Sequence, residues 1–384
     1  MILKKARPEA KLRTMPLQLK KRVDPAETTF KSRVENFWEW FAERAGRFLQ
    51  AMEQGEDVMA ETDEKLQELF PDFACVFGPG EAGYGEPGRS FTLSGEGVLQ
   101  RQLLTLYWAS RAPRLEGWTF YASRQPSPPE IIENTRITFD GQDLNPLEFW
   151  LTPTIDDEEE VANLMVWHPL YAGVRGEEDR LGAFMVFLDE VLGEYGTGNW
   201  IGEITVSDQQ LAEAIPLTEL YGFIDRLETE RKWQKLLPGD GVNAYSQENP
   251  ENRFLRDDII AGSTALYQLV AEYSETEGDL EDPLAGTGAD YVFVTIDARL
   301  FPEGQQVETR DVIETALESA LKAEQTGRVI GRAFGTQFAY LDLMLFDGKN
   351  SVQVIERVLR EQNLPAGTAI HYFAREKAAQ RVVL

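Results

Sequence analysis

Residues 291–374 switch repeatedly between a period of two and a period of 3.6, and no other stretch restricts the fold of this 384-residue chain so tightly. Alternating apolar residues over 291–298 predict a strand, and a helical pattern follows over 309–325. A hairpin is predicted from 328–334 and 338–346, then a helix over 351–363 and a last strand over 368–374. Successive side chains on a strand point to opposite faces, so Val292, Val294, Ile296, Leu341, Leu343 and Leu345 are expected to meet the helices. Phe293, Thr295, Asp297, Tyr340, Asp342 and Met344 then share the other, open face. The order is βαββαβ, that of the ferredoxin-like split unit.

The open face holds the candidate chemistry. Asp297 and Asp342 fall mid-strand on strands expected to be adjacent, and two facing carboxylates can share a proton or hold a cation. Tyr340 and His371 are candidates for the same binding site, with Arg332 and Tyr372 nearby. The plainer expectation is that another domain covers this face and the aspartates pair with basic or backbone groups, because split units of this kind serve many unrelated functions.

Charge narrows the choice of partners. The formal net charge is −27, yet residues 1–22 carry +7, which leaves −34 on the rest. A field of that sign repels nucleic acid and anionic membrane and speeds encounters with basic partners, although it also simply keeps a protein soluble. No stretch approaches the ~20 apolar residues of a membrane span. The basic start lacks the apolar core of a secretory signal; it reads as a disordered arm over 1–23, as a transit peptide, or as an extension ahead of a start at Met15. The single cysteine, Cys75, excludes an internal disulfide framework and suits a reducing cytoplasm. Its apolar strand-like setting, 73–77, points to an inert thiol.

The N-terminal body, expected over 24–206, opens on a long amphipathic helix. Asp24 as N-cap, Pro25 at N1 and Glu27 at N3 are good starting chemistry. Phe30, Val34, Phe37, Trp38, Phe41, Ala45, Phe48, Leu49 and Met52 then lie within an arc of roughly 120°, the width of a core-facing stripe. Trp40 falls about 60° outside that arc, which marks it as a candidate binding residue unless a neighbouring element covers it.

Further along, Gly83-x-Gly85-x-x-Gly88 has the spacing of a dinucleotide fingerprint, but a strand follows it where a phosphate site needs a helix N-terminus. A hairpin connection is the better reading. The acidic run 156–160 lacks the alternating ligand spacing of a calcium loop and reads as a solvated tip. A helix is expected over 177–195, ended by Gly196 and Gly198, then a strand over 200–206. Residues 207–250 read as a helical, turn-rich linker, and 251–384 as the C-terminal domain, entered through a helix from about 257 to 273. The fold class is thus α+β: two α/β-sandwich domains with mostly antiparallel sheets, the second ferredoxin-like.

Catalytic signatures are missing from the sequence. His168 and His371 are the two histidines, too few and too far apart for zinc spacing. No Gly-x-Ser-x-Gly elbow, P-loop or kinase set occurs. No catalytic residue, metal or cofactor is therefore assigned.

Phe37-Trp38-Glu39-Trp40-Phe41, followed by Gly117-Trp118-Thr119-Phe120 and an acidic strand–helix–strand ending at Trp200, resembles a group of uncharacterised bacterial proteins. The likeness spans 30–206 and implies no activity. The C-terminal part is loosely similar, in charge and fold alone, to ferredoxin-like regulators such as the regulator of ribonuclease E activity B. The expected function is a cytoplasmic, non-enzymatic binding or regulatory protein, an inhibitor or immunity-type partner of a basic protein. The alternative is an enzyme or a small-ligand or metal binder using the carboxylates of the open face.

Overall fold

The computed structural model describes residues 3–4 and 28–384, apart from 84–85, 140–141, 173–175, 248–249, 303, 363 and 365. The basic arm (Leu3 and Lys4 excepted), the start at Met15 and the helix start expected at 24–27 lie outside the described residues. The chain is mixed α+β, and its sheets are mostly antiparallel. It divides into two compact units, one joining the described residues up to Asp72 with Gly239–Leu384, the other built on Phe73–Pro238.

The long helix α1 runs from Phe30 to Glu53. Thr29 caps it, its hydroxyl accepting from the Ser32 amide at 3.2 Å and donating to Asp347 at 3.1 Å. The first turn is tied to the C-terminal region: the Phe30 amide donates to the Gly288 carbonyl and the Lys31 amide to the Phe346 carbonyl, each at 2.8 Å. Arg33, buried, donates to the carbonyls of Gly286 at 2.6 Å and Leu69 at 3.2 Å. Gly288 has φ +81°, and a Cβ there would lie 2.6 Å from the Thr28 carbonyl oxygen, so the close approach requires glycine. The expectation of one domain over 24–206 is corrected: α1 and α2 (Met59–Leu69) belong with the C-terminal sheet. Periodicity marks which face of a helix is buried, but not what buries it.

In the second unit, strands Ala74–Gly83 and Glu86–Ser94 pair antiparallel, and Trp118–Tyr121 adds in parallel. The glycine-rich stretch thus supplies the arms of a hairpin, with Tyr84 and Gly85 outside the described residues. Helices α3 (Leu99–Ser110) and α4 (Pro129–Asn134) precede a four-stranded sheet ordered Ile215–Pro216, Trp150–Asp156, Val161–Trp167, Ile201–Val206. Helices α5 (Glu177–Trp200) and α6 (Leu220–Arg231) share a core with this sheet through Phe149, Phe187, Leu188, Leu220 and Ile224. The stacked rings of Trp200 and Trp233, 5.9 Å apart, extend that core. Residues 207–238 are therefore packed structure, which corrects their reading as linker.

The first unit is built on an antiparallel sheet. From Val242–Ser246, which Leu3–Lys4 flanks in parallel, the order continues Ile259–Thr264, Gly327–Gly335, Phe338–Leu345, Asp290–Asp297, Ala369–Tyr372 and Val382–Val383. Helices α8 (Gln306–Glu324) and α9 (Gly348–Glu361) cover one face, where Val292, Val294, Ile296, Leu341, Leu343 and Leu345 join Leu317, Leu321 and Ile355 in one core. Helix α7 spans Tyr267–Glu275. Two of the strands sit where sequence patterning predicts otherwise. Val242–Ser246 falls in the expected linker, and Ile259–Thr264 in an expected helix. Pairing with Gly327–Gly335 decides the second case, and Gly262 makes it feasible, since a Cβ there would lie 2.5 Å from the Tyr245 ring.

Candidate functional site

The second face of the large sheet is closed by its own unit. Arg256 grips Asp342 with two parallel bonds, Nη1 to Oδ1 and Nη2 to Oδ2, the latter at 3.0 Å. Both side chains are almost wholly buried. The guanidinium is 5.1–5.2 Å from the ring centroids of Phe293, Tyr340 and Phe373, so three aromatic faces surround the cation. Burial opposes its charge, but Asp342 outweighs burial and leaves the pKa of Arg256 above its ordinary value. Tyr340 bridges two partners: its hydroxyl donates to Asp258 and accepts from the Arg256 amide at 3.2 Å. Asp258 also takes the amides of Gln337 at 2.8 Å and Phe338 at 3.2 Å. Tyr273 of α7 packs edge-on to Phe293 and Phe373, completing the cover.

The paired-carboxylate reading of this face is therefore corrected. Asp342 is neutralised and inaccessible. Asp297 lies opposite Phe338, four residues along the strand from Phe293, which lies opposite Asp342; at ~3.4 Å per residue and ~4.8 Å between strands the two aspartates are about 14 Å apart. Asp297 instead caps a short helical turn, accepting from the Arg299 amide at 3.1 Å and pairing with its guanidinium at 2.7 Å. Hydrogen bonding to Arg299 holds its carboxyl below the ordinary range. His371 stacks on Phe293, ring centroids 5.1 Å apart, with Nε2 3.2 Å from the Thr295 hydroxyl. Burial, then the charge of Arg381, push it down to about 4, so it is neutral at physiological pH. The structure brings Asp342, Tyr340 and His371 together around Phe293, as core and not as an open site.

Trp40 has a different setting. It is half-buried against Phe37 and Phe48, ring centroids 5.8 Å away in each case, and the Arg44 guanidinium lies 5.1 Å above its ring. Arg33 and Ala51 widen the buried arc of α1 toward Trp40, which accounts for its being half-buried. Beyond it the helix faces solvent. Glu35, Glu39 and Glu43 are exposed at i, i+4 and i+8, and Glu43 pairs with Arg44 at 3.2 Å. Arg44 and Arg47 also hold Glu61 of α2, leaving no cation on Glu35 or Glu39 among the described residues.

The second unit contains a buried carboxylate with no sequence signature. Helix α5 breaks at Gly193 (φ 71°, ψ 160°), where a Cβ would lie 2.8 Å from the Arg124 carbonyl oxygen. The break turns Glu194 inward. Its carboxylate accepts from Ser94 and Gln102 side chains at 2.8 Å each, and from the amides of Gly97 at 3.0 Å and Arg124 at 3.4 Å. Four donors satisfy it, so it is a structural tie between a strand end, α3 and α5. Asp189, a turn earlier, is pushed up to about 6 by burial, with Thr197 and Arg124 opposing and Glu194 and Glu96 adding. His168 is likewise buried, its Nδ1 accepting from the Leu170 amide at 3.2 Å and its ring against Phe149.

Among the described residues no group of three or more His, Cys, Asp or Glu side chains converges as metal ligands. Nor does a described helix have the length and apolarity to cross a membrane. No protein-family model, curated protein or solved structure matches this chain.

Proposed function

We propose that the chain is an acidic, non-enzymatic binding protein acting in the cytoplasm on a basic protein partner, with the outward face of α1 as its contact surface. The carrying observation is the exposed ladder Glu35–Glu39–Glu43 beside Trp40, in which Glu35 and Glu39 carry no cation among the described residues. Like charges at i, i+4 destabilise a helix by about 0.2–0.5 kcal/mol per pair, so the fold itself gains nothing from them. A basic surface would gain their charge together with the flank of an aromatic ring. The charge of −34 outside the first 22 residues supports the same class of partner and disfavours nucleic acid. The closed second face of the large sheet favours this reading over a carboxylate-pair enzyme or metal binder on that face.

For the fold, the strand order Gly327–Gly335, Phe338–Leu345, Asp290–Asp297, Ala369–Tyr372, with α8 and α9 on one face, supports the ferredoxin-like reading of that segment. The added strands beside it then make an enlarged version of that unit. The resemblance of the 37–41 motif to uncharacterised bacterial proteins supplies no activity, so charge and geometry carry the proposal. Affinity capture at low and high salt tests it. Partners that are basic and released by salt support it, and capture insensitive to salt does not.

A further inference from the structure

The large sheet is wider than the two helices laid over it. Helix α8 lies along Gly327–Gly335, beyond which the sheet continues through Ile259–Thr264 and Val242–Ser246, and the step between helix and sheet leaves a cavity of about 300 Å³. That volume is at the small end of ligand pockets, which run roughly 300–1,000 Å³. Its walls are chemically uneven. Arg332 Nη1 donates to Glu314 Oε1 at 2.7 Å, while Glu314 Oε2 is buried with no hydrogen-bond partner. Glu318 Oε2 accepts from the Val329 amide at 2.7 Å, beside the register shift at Val329/Gly331. Two carboxylates against one guanidinium leave the cavity net negative, and the hydroxyls of Ser263 and Ser319 add hydrogen-bonding capacity. Val242 contributes apolar wall on the sheet side.

We infer that this cavity binds a small aliphatic amine of the size of a diamine or a basic amino acid. The ammonium group lies against Glu318 and the under-satisfied Glu314, and the carbon chain runs over the apolar wall. An amino acid differs from a diamine in bringing a carboxylate, which competes with Glu314 for Arg332. A cation alone would be satisfied anywhere on so acidic a surface; the size of this half-open cavity and its mixed charges select a short amine instead.

The test is calorimetric titration of the full chain with 1,5-diaminopentane, with L-lysine and with succinate as the anionic control. Either amine is expected to bind more tightly than about 1 mM, and a preference for lysine identifies the amino-acid class. Glu318→Gln is expected to weaken binding by about tenfold or more, through loss of a charge-assisted contact. Ser319→Phe, at an exposed helical position, keeps every charge but fills the cavity and is expected to abolish binding. Circular dichroism checks that it folds; if it does not, Glu318→Gln decides. No binding of either amine overturns the inference. So does equal binding of succinate, or affinity unchanged in the substituted proteins.

Discussion

The guanidinium of Arg256 and the carboxylate of Asp342 meet in a two-bonded ion pair, Nη2 to Oδ2 at 3.0 Å, enclosed by three aromatic rings. Arg256 reaches this position from a left-handed backbone, φ 79°, a conformation that costs on the order of 1–3 kcal/mol for a residue other than glycine. The pair, the Tyr340–Asp258 bond and the ring contacts together offset it. Segment 253–258 is thereby pinned across the sheet face that sequence patterning leaves open.

Removing one member of a buried pair leaves the other charged and alone, which typically costs ~3–5 kcal/mol. Asp342→Ala is expected to lower the urea midpoint of the first unit by a corresponding amount. Replacing both partners with apolar residues, Arg256→Met with Asp342→Leu, is expected to cost less than Asp342→Ala alone. A loss below about 0.5 kcal/mol for Asp342→Ala would show that the pair contributes little.

Asp189 links stability to pH in the second unit. Its folded pKa, about 6, is raised above the ordinary 3.8, so the folded state holds the proton more tightly than the unfolded state. The contribution of this group is full below about pH 3.8 and is lost as pH rises through 6. Asp189→Asn is therefore expected to stabilise the protein at pH 7, with the advantage gone at pH 4. Chemical denaturation across that range measures it, and an advantage independent of pH would contradict the burial of the charge.

Along α1, Phe37 and Trp40 should separate cleanly. Phe37 is fully buried, and truncation of a buried aromatic costs ~3–5 kcal/mol. Trp40 is half-buried against its own helix, so Trp40→Ala is expected to cost under about 2 kcal/mol. Thermal unfolding of the two variants checks the order.

Local patterns made much of the architecture legible. The alternation over 291–297 and 338–345 assigns each residue to its face, and the structure places Val292, Leu341 and their neighbours on the helix side. What local pattern leaves out is long-range. Nothing in 30–53 says that the helix start hydrogen-bonds to Gly288 and Phe346, more than 250 residues on. The strand Ile259–Thr264 carries helix-compatible residues and becomes a strand only because Gly327–Gly335 offers an edge. Asp342 reads as a site because its partner, Arg256, is 86 residues away in a segment without periodicity. Glu194 is hidden for a similar reason: its inward turn follows from one non-helical glycine inside an apparently continuous helix.

The proposed role rests on Glu35 and Glu39, and charge reversal at those two positions tests it most directly. Salt-sensitive basic partners captured by the full chain should be lost from Glu35→Lys/Glu39→Lys. They should be retained by Asp225→Lys/Glu230→Lys, which makes the same change of charge on exposed positions of α6. Equal capture by both variants, or loss from both alike, would contradict a binding face on α1.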